Sequence, residues 1–163
     1  MRSSEVIAKA RTYVENLFPK SKKIKWYWEE NLQGVSIEAK INENKKTYSI
    51  KFDTLGALHD VELTQKFLEL AIDVQQNITN YFQNQYDRYK IRKIQIQWIG
   101  DPDVLRSLIK KEETNKKYTT RYEIEFSGRK NKDLESYESL FDDGGKHMET
   151  KQIITRNLNH LIY

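Results

Sequence analysis

The chain has no cysteine among its 163 residues, which excludes disulfides, thiolate-bound zinc and thiol catalysis. It has only two prolines and six glycines, too few for long flexible linkers. No apolar run approaches the ~18 residues that a membrane-crossing helix needs. No Gly-x-Ser-x-Gly elbow and no glycine-rich phosphate loop occurs. Charge of one sign is scarce as well: 28 basic against 24 acidic residues leave +4, and the two signs are interspersed. Interspersed charge describes a solvated surface rather than a phosphate-binding stripe, which needs clustering. The N-terminus, Met1-Arg2-Ser3-Ser4-Glu5, enters an amphipathic segment without the apolar region of a signal peptide. A cytoplasmic protein is expected if Met1 is the native start; replacement of a leader by a start methionine is the alternative.

Aromatic residues are what the chain has in quantity. Ten tyrosines, six phenylalanines and three tryptophans supply a core in a sequence that is 37% apolar and 32% charged. Val6, Ile7, Ala10, Val14, Leu17 and Phe18 follow helical spacing, with Ser3 or Ser4 as the expected cap and Pro19 as the stop. Alternation then takes over. Ile24, Trp26 and Trp28 predict a strand with both tryptophans in the core and Tyr27 on the other face. Val35, Ile37, Ala39 and Ile41 predict a second strand, Tyr48, Ile50 and Phe52 a third, and 57–63 a fourth.

The order then restarts. Phe67, Leu70, Ala71, Val74, Ile78, Tyr81 and Phe82 predict a longer helix, and Ile94, Ile96 and Trp98 echo Ile24, Trp26 and Trp28. A short helix over about 101–112, with Asp101 as cap and Pro102 as its first residue, has no counterpart in the first half. A strand over 118–126, a loop over 127–132 and a hairpin over 134–154 follow, and 155–163 is expected to add a final helical turn. Tyr48, Phe52, Asp53 and Gly56 recur at identical spacing as Tyr137, Phe141, Asp142 and Gly145. The expected architecture is α+β: two tandem helix-plus-antiparallel-sheet modules, 1–63 and 64–163, their sheets side by side and their helices packed on one face. The other face is expected open to water, carrying Lys25, Tyr27, Glu38, Lys40, Lys51, Gln95, Gln97, Arg121, Glu123 and Glu125.

Several passages resemble the PepSY-like, beta-lactamase-inhibitor-like family of small bacterial proteins. They are the helix-to-strand passage Leu17-Phe18-Pro19 to Trp26, the strand Val35 to Lys40, and Tyr48 to Asp53 followed by Gly56. Tyr122 to Phe126 and Tyr137 to Gly145 repeat the pattern. The second half departs from it by lacking the proline after its helix and by inserting 101–112. The resemblance implies a curved antiparallel sheet backed by helices, export to the periplasm or cell envelope, and no catalytic residues. Some distant members inhibit enzymes by gripping them with the open sheet face.

The residues themselves offer little chemistry. His59, His147 and His160 lack metal-ligand spacing, and His59 and His147 are expected as exposed hairpin residues. Asp142 and Asp143 near Glu149 lack the spacing of a calcium loop and read as turn formers. Asn77-Ile78-Thr79 matches a glycosylation sequon but falls within a helix. The expected function is non-catalytic binding of a protein partner, with no cofactor and no metal. The site is the open sheet face: Tyr27, Lys25, Lys40, Lys51, Gln97 and Arg121. A partner enzyme would be inhibited or assisted by occlusion. Nucleic-acid binding is the rival, through Lys20, Lys22, Lys23 and Lys25, and through Lys110, Lys111, Lys116 and Lys117.

Overall fold

The computed structural model describes residues 6–21, 23–31 and 34–153. Among these residues eight strands form one antiparallel sheet in simple sequence order: β1 (Ile24–Asn31), β2 (Gly34–Glu43), β3 (Lys46–Phe52), β4 (Leu58–Thr64), β5 (Arg88–Ile99), β6 (Thr119–Lys130), β7 (Asp133–Phe141) and β8 (His147–Gln152). Helix α1 (Ala8–Leu17) precedes β1, α2 (Ile72–Gln85) joins β4 to β5, and α3 (Pro102–Lys110) joins β5 to β6. The fold is α+β. The two expected sheets are a single sheet, because β4 pairs with β5 from Val61↔Trp98 to Thr64↔Gln95.

Period-two patterning builds the core. Trp26, Ile37, Ala39, Ile41, Tyr48, Ile50, Phe52, Val61 and Leu63 point to one face and meet Ala10, Val14 and Leu17 of α1. Ile94, Tyr122, Ile124, Phe126 and Phe141 point to the same side and meet Val74, Ile78 and Phe82 of α2. Phe82 is the hub of this second cluster, with Phe126, Tyr89 and Phe141 rings at 4.6, 4.9 and 5.8 Å. Helix α3 comes from the second half of the chain but packs in the first cluster: Leu105 and Ile109 are buried there, and Tyr13 Oη donates to the Pro102 carbonyl at 2.8 Å.

Turn chemistry fixes the hairpins. Asn44 and Lys45 both have positive φ (50° and 64°), as do Asn131 and Lys132 (52° and 78°), the requirement of a two-residue type I′ turn. Residues 127–130, expected as loop, therefore extend β6 into a tight hairpin with β7. Gly56 and Gly145 adopt φ of 80° and 78° in the turns before β4 and β8. Each turn follows a register shift, at Lys51/Phe52 and at Leu140/Phe141.

Four other expectations change. Helix α1 starts at Ala8 after Ile7, without a side-chain cap; Ser3 and Ser4 lie outside the described residues. The second helix is split, with a 3₁₀ turn over Phe67–Glu69 before α2. Asp101 precedes α3 as expected but makes no side-chain capping bond. Trp28 is 57% exposed whereas Trp26 is buried in the cluster to which α1 contributes, which corrects the expectation that both tryptophans are in the core. The tail from 154 to 163 lies outside the described residues.

Candidate functional site

All three helices contribute to clusters on one side of the sheet, and among the described residues no helix packs on the other. Strand register orders the side chains of this helix-free face into rows. One row runs Tyr27↔Glu38↔Lys51↔Asp60. The next runs Lys25↔Lys40↔Ser49↔Glu62↔Gln97↔Arg121. The six residues expected to form the site thus lie on one face in two adjacent rows. Glu123, Glu125 and Glu138 extend the polar surface over β6 and β7.

Contacts between the rows lock this surface. Lys40 Nζ lies 3.0 Å from Glu38 Oε2 and 5.1 Å from the centre of the Tyr27 ring. Ser49 Oγ donates to Glu38 Oε1. Lys51 Nζ donates to Glu62 Oε1 at 2.7 Å, Gln95 Nε2 to Glu62 Oε2 at 3.0 Å, and Gln97 Nε2 to Asp60 Oδ2 at 3.0 Å. Lys93 pairs with Glu125 at 3.2 Å further along. Tyr27 and Lys25 are exposed at the β1 edge, while Gln97 and Arg121 are partly covered.

The face is not uniformly open to water. Glu38 and Glu62 are each 2% exposed and Gln95 4%, which corrects the expectation that Glu38 and Gln95 are solvated. Their hydrogen-bonded neighbours, not a helix, exclude the solvent. Burial there has electrostatic consequences. Desolvation, reinforced by Glu62 and Glu138, pushes the Glu123 carboxyl up to about 8. Desolvation pushes Asp60 up to about 6 against the pull of Lys51, and it also raises Glu138, with Glu125 adding to the effect. Burial opposes the Lys51 ammonium, but Glu62 and Asp60 outweigh it and hold its pKa above the usual lysine value. Lys51 is therefore the cation paired with buried Glu62 inside the polar network. The sequence reading missed Ser49, Asp60 and Glu62. Their signal was available in the strand alternation, which sets Ser49 between Tyr48 and Ile50, and Glu62 between Val61 and Leu63.

The nearest approach to a reactive constellation lies on the helix side. His147 Nε2 and Thr150 Oγ1 are 2.8 Å apart, and Thr150 also meets Tyr81 Oη at 3.0 Å and fully buried Ser139 Oγ at 2.6 Å. The His147 ring stacks on Tyr81 at 4.1 Å, and burial lowers its pKa. These contacts tie β7 and β8 to α2. His147 is thus a packed residue, not the exposed hairpin histidine expected; His59 is exposed, and His160 lies outside the described residues. Asn77 is a tie of the same kind, its Nδ2 donating to the Gly144 carbonyl at 2.8 Å. Among the described residues no group of three His, Asp or Glu is placed to hold a metal ion. Among the described residues no helix is long and apolar enough to cross a membrane. Lys20, Lys23, Lys110, Lys111, Lys116 and Lys117 are exposed in the connections flanking β1 and β6; Lys22 lies outside the described residues.

No protein-family model matches the chain, and no curated protein sequence matches it. Solved structures do. A DUF2874 family protein from Bacteroides ovatus aligns over 90% of this chain and 87% of its own, at 12% identity and a TM-score of 0.59. A protein from Bacteroides eggerthii described as a candidate periplasmic protein aligns over 91% and 89%, at 11% identity and a TM-score of 0.59. A BLIP-like protein from Bacteroides fragilis aligns over 95% and 92%, at 13% identity and a TM-score of 0.58. Likeness at such identities is one of fold, and the chain has a BLIP-like fold.

Proposed function

We propose that this chain is a non-catalytic protein-binding module that acts by occlusion, covering part of a partner protein with the helix-free face of its sheet. One observation carries the reading: among the described residues the eight strands have helices on one side only, and the other side holds a locked polar surface with Tyr27 and Lys25 exposed at its edge. Lys40, already held against Glu38 and the Tyr27 ring, loses little freedom when a partner covers it. Tyrosine adds contact area and a hydroxyl at small entropic cost. The BLIP-like fold supports the same reading, with an enzyme as the partner that is inhibited or assisted. The compartment we assign is the periplasm or cell envelope, in line with the described location of the Bacteroides eggerthii neighbour.

The scaffold reads as two tandem modules of PepSY-like kind, 1–63 and 64–163. The matched Asn-Lys and Asp-x-x-Gly turns support this division. Tyr27, Lys25, Lys40 and Arg121 form the contact set, while Lys51 and Gln97 hold the surface beneath them.

Affinity capture from periplasmic and cytosolic fractions tests the reading, with wild type, Tyr27→Ala, Arg121→Ala and the helix-side control Gln83→Glu as baits. A partner retained by wild type and the control but lost by both face variants supports it. Absence of any partner, or retention by all four baits, removes the site. Inhibition assays on a β-lactamase panel examine the enzyme-inhibitor form. Filter binding to nucleic acid is expected to give no salt-dependent complex.

A further inference from the structure

Strand register places a second set of charged residues on the helix-free face, at the far end of β5 and β6. Arg88 stands directly opposite Arg129, and Lys90 opposite Ser127. Ser127 and Arg129 continue the alternation of Arg121, Glu123 and Glu125, and β7 adds Ser136 and Leu134 beside them. The sequence reading assigned 127–132 to a loop, which hid this arrangement. It arises because the Asn131-Lys132 turn lets β6 run on to Lys130. Aromatic packing on the helix side holds the backbone here. Tyr89, between Arg88 and Lys90, stacks on Phe82 at 4.9 Å. Tyr86 meets Phe126 at 5.0 Å and lies so close to Gly128 that a Cβ there would come within 2.6 Å of its ring. The Asp87 amide donates to the Arg129 carbonyl at 2.9 Å.

Like charges directly opposite one another on a sheet are destabilising. Elsewhere on this face lysines are neutralised: Lys40 by Glu38, Lys51 by Glu62, Lys93 by Glu125 and Lys151 by Glu149, at 2.7–3.3 Å. Arg88, Lys90 and Arg129 are all exposed, and among the described residues no carboxylate pairs with any of them. Asp133 and Glu135 are near in sequence, but they oppose Lys130 and Gly128 and so belong to the helix side. We propose that Arg88, Lys90 and Arg129 are the anchoring subsite for an acidic segment of the partner protein. This subsite depends on the docking role of the helix-free face. A guanidinium grips a carboxylate through two parallel hydrogen bonds. Opposed residues of an antiparallel pair lie ~4.5–5.5 Å apart at Cα, so Arg88 and Arg129 can share one carboxylate or hold two side by side. Ser127 and Ser136, opposed in the adjacent row, add hydroxyl donors. Leu134, 69% exposed and opposite Arg129, offers apolar contact to a neighbouring side chain of the segment. The partner's carboxylates thus supply the counter-charge that this end of the sheet leaves out. Glu125 and Glu138, opposed in the next row, bound the subsite. A short acidic segment fits within that boundary, whereas a long polyphosphate strand would run on into the two glutamates.

Two-dimensional NMR titration of the full chain with an acetylated, amidated hexaglutamate peptide tests the subsite. The amide signals of Arg88, Lys90, Ser127 and Arg129 should move and saturate, and the movement should shrink as salt is added. Arg88→Glu and Arg129→Glu should each weaken binding by about tenfold, because a charge-assisted hydrogen bond is lost and a repulsive charge replaces it. Lys20→Glu, in the connection before β1, should leave binding unchanged. A second readout separates this arrangement from ordinary solvated cations. Arg129→Glu turns the opposed like charges into an attractive pair, so the free protein should melt higher at low salt, and the gain should fade at high salt. Absence of peptide binding, binding that survives both reversals, or an Arg129→Glu protein that melts no higher than wild type overturns the proposal. Inorganic phosphate or a single-stranded oligonucleotide bound as tightly as the peptide overturns the acidic-protein assignment. A partner captured equally by wild type and by the Arg88→Glu, Arg129→Glu double variant overturns the subsite but leaves the docking face standing. No captured partner together with no peptide binding overturns both.

Discussion

Asp53 and Asp142 accept the same pair of amide hydrogen bonds in two turns on opposite halves of the sheet. Asp53 Oδ1 receives Leu55 N at 2.8 Å and Ala57 N at 2.7 Å; Asp142 Oδ1 receives Gly144 N at 3.1 Å and Lys146 N at 2.8 Å. The backbone matches as well, since each aspartate amide donates to the carbonyl four residues on at 2.9 Å. Asp142→Ala strips two charge-assisted bonds from the β7–β8 turn and should destabilise the protein by about 1–3 kcal/mol in urea titration. At Asp53 the amide bonds, that of Ala57 first, hold the carboxyl below its ordinary value of 3.8. A lowered folded pKa contributes stability above the unfolded value and loses it as pH falls through the folded one. Asp53→Asn should therefore flatten the acid limb of the stability profile below about 3.8.

The glycines that close these turns are predicted to differ in tolerance. Both need positive φ, where a Cβ costs about 1–2 kcal/mol. A Cβ on Gly56 would meet the Ile7 side-chain methyl at 3.1 Å, which can move aside. A Cβ on Gly145 would meet the Val74 carbonyl oxygen at 2.8 Å and its Cα at 3.1 Å, and backbone inside α2 cannot yield as readily. Gly145→Ala should therefore lower the denaturation midpoint more than Gly56→Ala. Equal losses would mean that the turn does not press on the helix as described.

These turns show what the sequence could reveal. Tyr48, Phe52, Asp53 and Gly56 recur as Tyr137, Phe141, Asp142 and Gly145 because the same bulge, turn and helix contact recur, so the hairpins were legible. The strands were legible for the same reason, since a half-buried antiparallel sheet imposes period two. The Asn131-Lys132 turn was not, because lysine is an uncommon second residue in a turn that favours glycine there. The placement of α3 was hidden too. Asp101 and Pro102 announce a helix but do not say which of two clusters its Leu105 and Ile109 enter. The candidate face was legible in membership and not in environment. Alternation puts Glu38, Glu62 and Gln95 on it, yet only the register brings Ser49, Lys51 and Gln95 close enough to bury the two glutamates.

Trp26 and Trp28 separate alternation from burial. They share a face, but Trp26 packs at 6.3 Å from the Phe52 ring while Trp28 stands mostly in water. Trp26→Ala should cost about 3–5 kcal/mol, as for other large core truncations. Trp28→Ala should stay within about 0.5 kcal/mol, as exposed positions usually do. Iodide should quench a corresponding part of the tryptophan emission, and that part should vanish in Trp28→Ala. A large stability loss in the latter variant would show that Trp28 is held by the fold.

The carboxylates behind the exposed edge predict an unusual pH dependence. With burial and the neighbouring Glu62 and Glu138 raising its pKa to about 8, folded Glu123 holds a proton that the unfolded chain, near 4.5, has released. A raised folded pKa contributes stability that is complete below the unfolded value and is lost as pH rises through the folded one. Stability should accordingly fall between about pH 4.5 and 8, with Asp60, raised to about 6, acting in the same direction over the lower part of that window. Glu123→Gln keeps the shape and removes the titration, so it should melt higher than wild type above pH 8 and show a flatter profile below. Lys51→Met should act oppositely, because it deprives buried Glu62 of its cation, and loss of one partner from a buried pair costs roughly 3 kcal/mol. Thermal melts of the three proteins at closely spaced pH values measure both effects. Parallel profiles for wild type and Glu123→Gln would show that Glu123 is ionised at neutral pH and that the network carries its charges openly.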